Sequence, residues 1–397
     1  MKILYIFRSL AVWGGIERIL VDKMNYMAEH YGMDIYLLTS DQGSHPITYH
    51  LSDRVHHEDL GVCFYQQYRF RGLRRLMVAW KMNCQYSHLL GERLHKILPD
   101  LIVCTTADKI GVIGKLKGNA PLVVESHSIC SRTLDHGRTW LQKKLYSHCF
   151  LRHLSNVDII VALTEGDAKE WRKYHHQVVV IPNFIHPHGE HISDCSAKKA
   201  IFVGRFDYQK RAQDAICIWK KVRERHPDWI LDIYGDGDMY QEVYLLAASV
   251  GGVVIHQPTP HIFEAYQECS LLISTSLFEP FGLVIPEAMS CGLPVVAYDC
   301  PYGPADIISD GKNGYLINNR DEVLFAEKIC ILIENAELRM KMGQMAKQTS
   351  TRFQSDLIMS QWINRINSVA KTKGLTSLVK ICKSIYLPPV NKEHNEG

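Results

Sequence analysis

Short β-rich runs alternate with helical stretches along most of this 397-residue chain, and the alternation breaks only once before restarting. In the first half, residues 2–7, 33–39, 101–104, 122–125, 157–162 and 178–181 read as buried strands. In the second half, residues 200–204, 230–234, 253–255, 271–274 and 295–299 do the same. Between them, Ile16, Ile19, Leu20, Met24, Met27 and Ala28 recur at helical spacing, as do Ala212, Ala215, Ile216, Trp219 and Val222 in a helix predicted over 210–225. Strands separated by helices are joined by crossovers, and crossovers make neighbouring strands parallel. The expected fold class is therefore α/β, with two doubly wound parallel sheets.

The break at residues 186–198 (HPHGEHISDCSAK) is rich in Pro, Gly and polar residues and reads as a hinge. It separates a first domain, 1–185, from a second, 199–352, in a chain too long for one comfortable core. A last helix is predicted over 353–370. The tail, 371–397, is poorly patterned and carries Lys371, Lys373, Lys380 and Lys383.

Composition narrows the class further. A hydrophobic content of 46% and a charged content of 22% suit a soluble globular chain, and no apolar run reaches the eighteen or so residues of a membrane span. The apolar start stops at Arg8, too soon for a signal-peptide core. The twelve cysteines form no C-x-x-C pair, and several sit in apolar stretches (Cys104, Cys217, Cys330), which points to a reducing cytoplasm.

The net charge of +3 is unevenly spread, because residues 1–185 hold 23 Lys and Arg against 17 Asp and Glu. The densest basic stretch, Tyr68-Arg69-Phe70-Arg71-Gly72-Leu73-Arg74-Arg75-Leu76, interleaves arginine with apolar residues. It suits either an anionic bilayer at the inner face of a membrane or a solvated helix face. No nucleic-acid motif accompanies it, so no nucleic-acid partner is expected.

Chemistry concentrates in two stretches of the second half. In Phe278-Glu279-Pro280-Phe281-Gly282-Leu283-Val284-Ile285-Pro286-Glu287, a loop after a strand runs into a helix. Backbone N–H groups near Gly282 and Leu283 suit an anion, while Glu287 can accept from a ribose diol and Glu279 from sugar hydroxyls. In Val203-Gly204-Arg205-Phe206-Asp207-Tyr208-Gln209-Lys210, Arg205 stands at the carboxyl end of a strand and Lys210 near the start of a helix. Ligands of open α/β sheets bind at that edge, and two cations there can neutralise a departing diphosphate. Taken singly, each residue also fits an ordinary surface loop.

Together, G-R-x-x-x-x-K and E-x-F-G-x-x-x-x-E resemble the retaining glycosyltransferase family 4, whose members have the two-domain GT-B fold. Gly14-Gly15-Ile16-Glu17, Val123-Val124-Glu125-Ser126-His127, Ile181-Pro182-Asn183, Tyr234-Gly235-Asp236-Gly237 and Asp310-Gly311-Lys312-Asn313-Gly314 resemble further family segments, in order, over residues 2–370. The resemblance implies that Arg205 and Lys210 grip a donor diphosphate, Glu287 binds the ribose and Glu279 meets the donor sugar. It implies that Gly15 allows backbone close to the donor and that His127 contacts the transferred sugar. Gly204, Phe281, Gly282 and Leu283 complete the donor set. It also implies a last helix crossing back onto the first domain.

The expected partners are a nucleotide-sugar donor, UDP-linked by default, and a saccharide acceptor, often lipid-linked. No metal or other cofactor is expected. Asp236-Gly237-Asp238 spells D-x-D but sits where turn residues are common, and His186, His188 and His191 lack a supporting ligand framework. Two other readings stay open: a nucleotide-sugar epimerase of the same architecture, and a catalytically silent nucleotide-sugar-binding partner.

Overall fold

The computed structural model describes residues 1–105, 109–135, 137, 139–186, 192–318 and 320–372. Thirteen strands among them are β1 (Lys2–Ile6), β2 (Asp34–Thr39), β3 (Val55–Asp59), β4 (Leu101–Cys104), β5 (Leu122–Ser126), β6 (Ile159–Ala162), β7 (Val178–Val180), β8 (Lys199–Val203), β9 (Ile230–Tyr234), β10 (Val253–His256), β11 (Leu271–Ser274), β12 (Val295–Asp299) and β13 (Gly314–Asn318). They form two sheets, ordered β3-β2-β1-β4-β5-β6-β7 and β10-β9-β8-β11-β12-β13. Every pairing is parallel. The expected pair of doubly wound sheets is what the chain builds.

Both sheets are covered on two faces. On the first, Leu4, Ile6, Ile102, Val124 and Ile160 point to one side, against Tyr86, Leu90, Phe150 and Trp171 from overlying helices. Ile3, Tyr5, Leu101, Val103, Val123 and Val161 point to the other. That period-two split is what a sheet buried on both faces requires. The second face is shared by helix Gly15–His30, through Leu20, Met24 and Met27, and by the last helix, Ser355–Thr372, through Ile358, Met359, Trp362 and Ile366.

Strand order reverses in the first sheet between β1 and β4, and in the second between β8 and β11. Crevices at such switch points lie outside the carboxyl ends of the strands. Segments 7–14, 204–211 and 275–283 leave the carboxyl ends of β1, β8 and β11, and His127 directly follows β5.

Three elements differ from the sequence expectation. Strand β3 (VHHED) has Val55 as its only fully buried residue, because it is an edge strand with polar residues facing out. Strand β13 begins at Gly314, within the segment read as a late turn; a Cβ there would lie 2.3 Å from the Val295 carbonyl oxygen, so glycine lets the two backbones pair. The helix expected at 210–225 begins at Ala212, because Arg211 takes a left-handed φ of 54°. Most of the tail and the hinge residues Pro187–His191 lie outside the described residues. No described helix is long and apolar enough to cross a membrane.

A candidate active site between the two sheets

The two loops of the second sheet are tied into one unit. Gln209 donates from Nε2 to the Phe278 carbonyl at 3.0 Å, Leu277 N–H donates to the Gln209 carbonyl at 2.9 Å, and Thr275 Oγ1 donates to the carbonyls of Lys210 and Arg211. The Asp207 carboxylate caps the turn by accepting from the backbone N–H groups of Gln209 and Lys210. Gly204 permits the fold-over: a Cβ there would lie 3.3 Å from Lys210 Cγ.

Each carboxylate of the 279–287 segment holds one cation. Glu279, 3% exposed, accepts from Lys210 Nζ and from Ser276 Oγ at 2.6 Å. Its backbone is fixed as well, with Tyr302 and Gly303 N–H donating to its carbonyl at 2.9 Å each. Glu287, also 3% exposed, pairs with Arg18, which comes from the opposite sheet's first helix, and accepts from Tyr266 Oη at 3.5 Å. The Glu287 charge raises the Arg18 pKa still further, against the pull of burial, so the guanidinium is fully charged.

Arg205 is more open. Its side chain is 64% exposed and pairs with Asp207 at 2.9 Å. It also acts on Glu17 across the cleft: burial pushes that carboxyl above its ordinary range, and Arg205 opposes the rise. A Cβ on Gly15 would lie 3.4 Å from Leu283 Cδ1, so the glycine brings the start of the first helix against the 275–283 loop. Gly282 turns that loop with φ 87°. The ring of Phe281 is buried against Phe353, with centroids 5.4 Å apart. The ring thus anchors the loop from beneath, with its apolar surface in the core.

His127 sits deeper than a free cleft histidine would. Its side chain is 5% exposed, and Nε2 lies 3.1 Å from Glu125 Oε2. The same oxygen accepts from Lys23, whose ammonium lies 4.1 Å from the centroid of the Trp362 ring. Burial works against a charged Glu125, but Lys23 and His127 together outweigh it and hold the carboxyl at about 2.

Sequence reasoning did not single out Arg18, Lys23 or Glu125 as site residues. A signal existed for Lys23, which falls on the apolar stripe of its helix (four residues from Ile19 and four from Met27), where a charge needs a partner. Among the described residues there is no group of His, Cys, Asp or Glu that could hold a metal. Asp236 bonds its own neighbour, Gly237 N–H, at 2.8 Å, and His186 pairs with Asp22 at 3.1 Å; His188 and His191 lie outside the described residues.

Residues 13–188 match the family described as Glycosyltransferase Family 4, and residues 189–349 match Glycosyl transferases group 1. The chain belongs to glycosyltransferase family 4. It is thus an enzyme that transfers hexosyl groups.

The amylovoran biosynthesis glycosyltransferase AmsD of Erwinia amylovora is 25% identical over 383 residues, spanning 92% of this chain and 99% of that protein. An exopolysaccharide phosphotransferase of Streptomyces coelicolor is 34% identical over 215 residues, but that match covers 52% of this chain and only 23% of the relative. In structure, S. aureus TarM, solved in complex with UDP, superposes with a TM-score of 0.74 at 17% identity, covering 92% of this chain and 99% of TarM. That likeness is one of fold: the GT-B pair of facing Rossmann-like sheets.

Proposed function

We propose that this glycosyltransferase moves a hexose or N-acetylhexosamine from a UDP-sugar to a saccharide acceptor, often lipid-linked, during surface polysaccharide synthesis, with retention of anomeric configuration and without a metal. One observation carries the reading most: a single loop–helix segment presents two buried carboxylates, each neutralised by its own cation, at the carboxyl edges of facing sheets. Glu287 takes the ribose diol in exchange for part of its contact with Arg18. Arg205, Lys210 and Arg18 then surround the diphosphate, where fixed cations stabilise leaving-group charge. AmsD is named for polysaccharide synthesis and TarM binds UDP, which supports this acceptor class and this base.

Retention proceeds by front-face attack. Glu279, the carboxylate nearest the sugar side of the motif, is tied to Lys210 and Ser276 and serves as a binding group more readily than as a nucleophile. The acceptor hydroxyl attacks beside the departing diphosphate, whose oxygen takes the proton, and closure of the two sheets keeps water out.

A thermal-shift panel of UDP, GDP and ADP in excess chelator tests the donor. Ligand at about 100 times its dissociation constant adds roughly 2.7 kcal/mol. A selective rise with UDP is expected. A rise that needs a divalent cation overturns metal independence, and no rise with any diphosphate removes the donor site.

A further inference from the structure

The first half of helix Gly72–Ile97 stands off the core. Its buried residues, Tyr86, Leu90, Leu94 and Ile97, all belong to the second half. Leu73, Leu76, Met77 and Trp80 are instead 79%, 65%, 63% and 68% exposed, and their spacing of three, four and seven puts them in one stripe. Helix Trp140–His153 repeats the arrangement: Trp140, Leu141 and Leu145 are 72%, 58% and 57% exposed, while Phe150 is buried. Isolated exposed apolar side chains are ordinary, but two clusters of large ones on neighbouring helices are not.

The fold places both clusters at one edge. The two helices pack on the same face of the first sheet, on either side of helix Ile110–Leu116. They lead into β4 and β6, so their first turns lie at the carboxyl ends of the strands, on the cleft side.

The charge is equally one-sided. No acidic residue occurs between Asp59 and Glu92, or between Asp135 and Asp158, whereas Arg69, Arg71, Arg74, Arg75 and Lys81 fall in the first interval and Lys143, Lys144 and Arg152 in the second. Arg74 and Arg75 lie over the rings of Phe70 and Tyr68 at 4.6 and 4.4 Å, so aromatic and cationic groups share one surface.

We infer that these two half-helices form a single docking surface for an anionic lipid bilayer, seating the first domain on the membrane with the cleft mouth at its rim. Tryptophan and leucine enter the interface while arginine and lysine meet the headgroups. This extends the proposed function without depending on it, since lipid would bind whatever the cleft transfers.

The test is flotation of the full chain with vesicles of phosphatidylcholine alone and with phosphatidylglycerol added, at low and high salt. Binding is expected only with the anionic lipid and should weaken with salt. L73Q/W80Q and, separately, W140Q/L145Q should each reduce partitioning at least about tenfold, as should R74Q/R75Q. All are surface changes, so an unaltered UDP thermal shift and melting temperature report intact folding and keep lipid binding separable from donor binding. Equal flotation with both vesicles overturns the surface. So does loss of binding in K380Q/K383Q with the helix variants unaffected. A solution dimer broken by the same helix variants, without vesicle binding, assigns the patch to a second copy of the chain instead.

Discussion

Replacing Lys23 by Met should destabilise the protein far more than a lysine substitution ordinarily does. Lys23 and Glu125 are 2% and 1% exposed, and Glu125 Oε1 has no hydrogen-bond partner among the described residues. The variant keeps a side chain of similar length against Trp362 but leaves a buried carboxylate with only the imidazole of His127 beside it. Removing one partner of a buried pair costs about 3–5 kcal/mol, largely the penalty of the charge left behind. For a cooperative unit of this size, each 1 kcal/mol moves the melting temperature by about 2–4 °C, so a fall of roughly 6–20 °C is expected. The double variant K23M/E125Q removes the orphaned charge and should recover most of the loss. Urea unfolding at neutral pH, with thermal melts alongside, measures both. A single-variant loss below about 1 kcal/mol, or a double variant no better than the single, would refute the reasoning, because the pair would then behave like an exposed one.

Burial raises the Asp167 carboxyl to about 6, so the folded chain holds a proton that the unfolded chain gives up near its ordinary value of about 4. Its contribution to stability is therefore full below about pH 4 and is lost as the pH rises through about 6. D167N should erase up to about 3 kcal/mol of that slope in urea midpoints measured across the window. R18Q should weaken UDP affinity less than E287A does if Glu287 holds the ribose, as isothermal titration would show; equal losses would make the two a single binding unit. G235A places a Cβ 2.0 Å from the Gly204 carbonyl oxygen, so the loop carrying Arg205 must shift; a melting temperature and turnover equal to the parent's would contradict that contact. K210A should lower kcat by more than it raises the donor dissociation constant, and a proportionate change in both would mark Lys210 as a plain binding residue.

The fold was legible because a parallel sheet covered on both faces writes each inner strand as an apolar run. Thus Ile159–Ala162 and Leu271–Ser274 stand out, whereas the edge strand Val55–Asp59 is four-fifths polar and the edge strand Gly314–Asn318 has its short apolar run, Tyr315–Ile317, masked by the glycine-rich turn it starts in. Arg205, Lys210, Glu279 and Glu287 were legible as charges at fixed spacing, in G-R-x-x-x-x-K and E-x-F-G-x-x-x-x-E, within segments that follow a strand and run into a helix. What spacing does not carry is pairing across the cleft. Nothing in the first 30 residues says that Arg18 meets a glutamate 269 positions away, because that contact depends on how the two sheets face each other. His127 was visible as a residue closing a strand, but its burial against Glu125 follows from Lys23, on a helix of the opposite sheet face from the overlying Tyr86 layer.

The last helix has a consequence for synthesis. Residues 2–180 supply every strand of the first sheet, yet one face of it lacks Ile358, Met359, Trp362 and Ile366 until the rest of the chain has been made. The second sheet has its strands by Asn318 and its last cover, Phe325, Ile329 and Met342 on one face and Ala346 and Phe353 on the other, before that helix begins at Ser355. A ribosome making this protein N-terminal end first therefore finishes the later sheet before the earlier one. In the interval, Tyr5 and Met27 lack their final cover, and an ion pair destined for burial, Lys23 with Glu125, still stands next to water.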